Sequence, residues 1–96
     1  MARKKRTHGP ETLQEAVEYV VTKLPEKDRE LIAATEKDEF LVSAHFGLGM
    51  WMRNNLGLWA GGPLAKDLEE NHDCFMADDM SDVILGALWE RLQKRD

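Results

Sequence analysis

His45-Phe46-Gly47-Leu48-Gly49-Met50-Trp51-Met52-Arg53-Asn54-Asn55-Leu56-Gly57-Leu58-Trp59 is the stretch on which the reading of this chain turns. Together with the residues just before it, it carries helical periodicity. Leu41, Ala44, Leu48, Trp51 and Met52 fall along one face, and Val42, Phe46 and Met50 along an adjacent one. Such a wide apolar stripe predicts one long central helix over about residues 37–54, with Thr35 or Asp38 as its cap. Asn54-Asn55-Leu56-Gly57 reads as its stop, because Asn and Gly tolerate left-handed backbone angles.

Two glycines inside that pattern need a reason, since each costs about 1 kcal/mol relative to alanine in a helix interior. Either another backbone packs closely on that face, or a ligand does. His45, Gly49 and Arg53 are spaced i, i+4, i+8 and so lie close to one line on the helix. An imidazole, an open backbone and a guanidinium on one line suit an anion. The alternative is purely architectural: a half-buried histidine bonded to a carbonyl, and an arginine clamping a carboxylate of another helix.

Outward from this stretch the chain stays helical. Upstream, Thr12 and Glu15 have capping-box spacing, and Leu13, Ala16, Val17, Val20, Val21 and Leu24 follow at three- and four-residue steps before Pro25. Pro25 suits the first turn of a second helix ending near Ala34, with Glu26 and Asp28 at its positive end. Downstream, Gly61-Gly62-Pro63 is a loop signal, and a short helix is expected over residues 63–70. Asp78, or Ser81 as a later alternative, is expected to cap a last helix carrying Met80, Val83, Ile84, Ala87, Leu88 and Leu92. Arg91, Lys94 and Arg95 complement its negative end. The expected fold is all-α, a compact bundle of four to five short helices. Residues 1–9 read as a flexible basic tail and residues 10–96 as a single helical domain.

The 96 residues hold 13 Lys and Arg against 18 Asp and Glu, for a net charge of −5. The tail takes Arg3, Lys4, Lys5 and Arg6, and removing those four from 13 leaves 9 basic residues against 18 acidic ones. An acidic body repels a duplex and attracts a basic surface, so any nucleic-acid contact is expected to run through the tail alone. One cysteine excludes an internal disulfide framework and a multi-cysteine zinc site. No run approaches the roughly 18 apolar residues of a membrane span, and no apolar segment follows the basic start as in a secretory signal. A soluble, cytoplasmic chain without a membrane role is the expectation.

Catalytic and metal signals are thin. Asp78-Asp79-Met80-Ser81-Asp82 opens the last helix, where acids already gain from the helix dipole, and the spacing with Asp73 does not match a calcium loop. Cys74 stands beside His72, but no oxyanion-hole motif accompanies the pair. Neither a phosphate-cradling glycine loop nor a two-histidine zinc motif occurs. No metal and no cofactor are expected, and the balance favours a chain that is not an enzyme. Trp51, Trp59 and Trp89 read most simply as core or hinge aromatics, with Trp59 a binding anchor if exposed.

The stretch His45 to Trp59 resembles a bacterial family of small helical proteins of unknown function, whose shared pattern is H-F-G-x-G-M-x-x-R-N-x-x-G-L-W followed further along by H-P-D-D-M-S. The first motif stands here in full. The second reads Met76-Ala77-Asp78-Asp79-Met80-Ser81, with Met-Ala in place of His-Pro. The resemblance covers roughly residues 11–94 and implies no particular reaction. It marks Arg53, Asn54, Asp78 and Asp79 as a linked set. On physical grounds the Arg53 guanidinium is expected to bridge to the acidic start of the last helix.

Small size, an acidic body and surplus tryptophans make a non-catalytic protein-interaction module the leading expectation, with a protein as its partner. Its sharper form is an accessory inhibitor from a phage or mobile element, of the anti-CRISPR kind, binding a basic host surface. The competing class is a small enzyme or anion binder using His45, Arg53 and Asp79. The candidate binding residues are His45, Gly49, Arg53, Asn54, Trp59, Asp78 and Asp79. A homodimer through a wide apolar face on the last helix is a further expectation.

Overall fold

The computed structural model describes residues 9–59 and 61–93. The basic residues Arg3, Lys4, Lys5 and Arg6, and Lys94 and Arg95 at the other end, lie outside them. Six helices run in order: α1 (Leu13–Lys23), α2 (Glu26–Ala34), α3 (Lys37–Ala44), α4 (Leu48–Asn55), α5 (Pro63–His72) and α6 (Ala77–Gln93). No strand occurs among the described residues. The all-α class stands, and the count of four to five helices becomes six.

The extra helix comes from a break in the expected rod over residues 37–54. Helix α3 stops at Ala44, and α4 starts at Leu48 behind Gly47, whose backbone sits at φ −96° and ψ −90°. The Gly47 N–H turns back to the Ala44 carbonyl at 3.1 Å, and the Gly47 carbonyl begins the next ladder by accepting from Trp51. Periodicity alone runs smoothly across this joint, since a short turn keeps the apolar spacing on both sides.

The break also moves the centre of the molecule. It is α6, not the 37–54 segment, that packs against each of the other five helices. Met80, Ile84, Leu85, Leu88 and Leu92 bury one stripe of it, and Val83, Ala87 and Trp89 lie partly covered against the same core. The apolar face on which a homodimer would draw is therefore covered within the chain. Conversely Val42, Phe46 and Met50, the second stripe of the expected central helix, are open to solvent.

Helix ends are closed by chemistry that is only partly local. Thr12 accepts from the Glu15 N–H at 3.1 Å, while the Glu15 carboxylate takes the Glu11 N–H rather than that of Thr12. The first N–H of α1, at Leu13, is taken by Asp67 of α5 at 3.0 Å. The C-terminal carbonyls of α1 at Val21 and Leu24 accept from the Arg29 guanidinium of α2. Glu36 holds the N-cap position of α3 without a side-chain bond, so neither Thr35 nor Asp38 caps it. Helix α6 opens two residues earlier than expected, with the Met80 N–H on the Met76 carbonyl. Asp78 thus sits in the first turn, and Ser81 is buried one turn in.

Gly57, just past α4, adopts φ +74°, and nothing lies within 4 Å of where a Cβ would stand. Replacing it therefore tests backbone conformation alone. Gly57→Ala should cost about 1–2 kcal/mol, read as a lowered melting temperature with an unchanged far-UV spectrum.

Candidate functional site

Side chains on a helix lean toward its N-terminus, so Arg53 in α4 lies back over Gly49, one turn earlier, and points at the end of α3. Its guanidinium is buried, with 2% of the residue exposed. Nη2 donates to the His45 carbonyl at 3.1 Å, and Nη1 to Ser81 Oγ at 2.7 Å. Nε stands 3.4 Å from Asp78 Oδ1. One cation thus closes the C-terminal end of α3, sits within α4 and meets the acidic first turn of α6. Its fork of N–H groups suits such divergent acceptors, as a lysine ammonium does not.

Ser81 supplies the acceptor that the sequence reading left out. Its hydroxyl donates to the Asp78 carbonyl at 3.0 Å, which leaves its lone pairs to receive Arg53. Fully buried in α6, Ser81 is the polar group that makes room for a charge in the core. The signal for it was its place three residues after Asp78, which also suggested a cap and so pointed the wrong way.

Gly49 completes the arrangement. A Cβ on it would stand 3.3 Å from the Ala44 carbonyl oxygen, 3.3 Å from Arg53 Nη1 and 3.4 Å from Leu85 Cδ1. The first is backbone and the second is a guanidinium held by its partners, so neither yields easily. The glycine is there because a side chain and a neighbouring helix of this same chain occupy the space that the sequence offered to a ligand.

The candidate residues therefore sort into three places. His45, Gly49, Arg53 and Asp78 come together at the joint of α3, α4 and α6. His45 adds a second tie, its Nδ1 standing 3.0 Å from Asp82 Oδ1. Asn54 and Trp59 form a separate pair, the indole N–H donating to Asn54 Oδ1 at 2.9 Å while the Trp59 residue stays 63% exposed. Asp79 is exposed and belongs to neither group. Its carboxylate lies near Cys74 instead, and with burial and with Asp73 it acts on that thiol.

Cys74 itself is buried, and its Sγ donates to the His72 carbonyl at 3.6 Å rather than pairing with an imidazole. Burial first, then Asp79 and Asp73, push the thiol above its ordinary value of 9.0, the opposite of what a nucleophile needs. Because the folded state holds the proton more tightly, its contribution to stability is complete below that ordinary value and is lost as pH rises above it.

Concave surface lies elsewhere. A groove of about 590 Å³ runs between α1, α5 and α6, lined by Leu13, Val17, Asp67, Asn71, Ala87 and Arg91 among others. Several of its polar groups are engaged within the fold: Asp67 holds the Leu13 N–H and the Asn71 amide, and Arg91 holds Glu18. No three His, Cys, Asp or Glu side chains among the described residues are grouped as a metal site requires.

A family model for a domain of unknown function, DUF6794, matches residues 9–92. The chain belongs to that family. The match takes in all the candidate residues and all of the helices except the last residue of α6. No curated protein and no solved structure matches the chain. No helix among the described residues is long and apolar enough to cross a membrane.

Two expected outcomes test this geometry. Arg53→Met should lower stability by about 2–4 kcal/mol in urea unfolding, because the Ser81 hydroxyl and the His45 carbonyl lose their charged donor while Asp78 regains water. Gly49→Ala should lower it by about 1–2 kcal/mol, against the roughly 1 kcal/mol that alanine gains in a free helix. An unchanged midpoint for Arg53→Met would refute the role given to this cation. For Cys74, iodoacetamide at pH 8 should label the native chain at least about tenfold more slowly than the urea-unfolded chain.

Proposed function

We propose that this chain is a non-catalytic protein-interaction module. The observation that carries the reading is the set of large apolar side chains left in solvent by a fold whose core is otherwise complete. Phe75 is 85% exposed, Phe46 77% and Val42 76%, with Met76 and Trp59 also open. Aromatic and methionine side chains are enriched at protein contacts, and a folded chain gains nothing by displaying them to water. The polar cluster that most resembled a ligand site is spent on the fold: the Arg53 guanidinium is directed at three protein groups.

The acid excess of the body favours a partner with a basic surface. That is also the feature on which the finer reading rests, an accessory inhibitor that covers a basic host surface.

The full chain, immobilised, should retain a specific protein from a lysate of its own cells. A Phe46→Ser, Phe75→Ser, Met76→Ser variant with unchanged far-UV spectrum and melting should lose that protein. Equal retention by the variant, or none by either, would count against the reading.

A further inference from the structure

Phe75 and Met76 occupy the short link between α5 and α6, and the fold fixes that link at both ends. Asp73 closes α5 in a left-handed conformation at φ 57°, and the Cys74 N–H reaches back to the Leu68 carbonyl at 3.2 Å. Cys74 is buried beneath the link. On the far side the Met76 carbonyl accepts the Met80 N–H and so begins α6. Two apolar side chains are thus held out on an ordered backbone, which lowers the entropy lost when a partner covers them.

Their surroundings carry one sign of charge. Asp73, Asp78, Asp79 and Asp82 are all exposed around the start of α6. From Asp67 to Asp82 the chain carries no Lys or Arg. The cation that Asp78 meets, Arg53, is itself buried. Phe46 flanks the same end of α6, since the His45 ring lies edge-on to it at 4.8 Å while meeting Asp82.

Resting on the interaction-module reading, we propose that Phe75 and Met76 are a docking knob that enters an apolar pocket rimmed by Lys and Arg on a partner protein. The apolar pair supplies the buried contact, and the aspartates supply steering and selectivity. Charge also chooses the class of occupant. A second copy of this chain, paired through the same surface, sets carboxylates against carboxylates. Nucleic acid and anionic lipid are repelled for the same reason.

Photo-crosslinking of the full chain in its own cells tests this. A Phe75→p-benzoylphenylalanine variant should form one dominant adduct, through a segment of a partner protein flanked by Lys and Arg. With that partner purified, Phe75→Ser should raise Kd at least about tenfold, and added salt should weaken the complex further. An adduct with a second copy of this chain, or through a segment free of basic residues, overturns the proposal. So does an adduct formed from a Phe46→p-benzoylphenylalanine probe but not from position 75, and that result leaves the interaction-module reading intact. Absence of any adduct from both probes overturns both.

Discussion

A guanidinium taken out of water must find an acceptor in nearly every direction it points, and that requirement organises the middle of this molecule. Arg53 meets it with the His45 carbonyl, Ser81 Oγ and the Asp78 carboxylate, which belong to the end of α3 and the start of α6. Each acceptor is itself constrained. The His45 carbonyl is available because the helical ladder stops there, Ser81 because its own proton goes to Asp78, and Asp78 because it stands in the first turn of a helix whose dipole favours an anion. A glycine one turn before the arginine leaves space for the head group. The break in the expected long helix, the buried serine and the interior glycine all meet at one charge.

The same device recurs at smaller scale. Arg29 reaches from α2 to the last carbonyls of α1, and Asp67 reaches from α5 to the first N–H of α1. Helices of eight to eleven residues are marginal alone, and here their ends are tied to neighbouring helices while α6 gives all of them a common apolar face. Tight internal use of polar groups leaves little chemistry to spare. What remains outward has an excess of acids over bases and, at a few places, large apolar side chains, and that is why the surface rather than any cavity carries the functional reading.

Much of this was legible. Five helical segments and most of their ends follow from periodicity, Pro25, Pro63 and the Asn-Gly stop, and the bridge from Arg53 to the acidic start of the last helix follows from the need of a guanidinium for a carboxylate partner. Other features were not. The joint at residues 45–47 preserves helical spacing, so periodicity could not mark it. Val42, Phe46 and Met50 have the spacing of core residues and are exposed, because spacing alone does not say which apolar stripe a neighbouring helix will cover. Asp79 is adjacent to Asp78 in sequence but a helix turns about 100° per residue, so only one of the two can face Arg53.

The sequence by itself determined the all-α class, the order and approximate limits of the helices, the family and the acidic balance, because these depend on local spacing and composition. Tertiary structure decided which helix is central, where the long helix breaks, that Ser81 accepts the buried charge, and which apolar side chains stay in solvent. Those outcomes depend on where a buried cation finds acceptors from three helices at once, and no local pattern specifies that meeting.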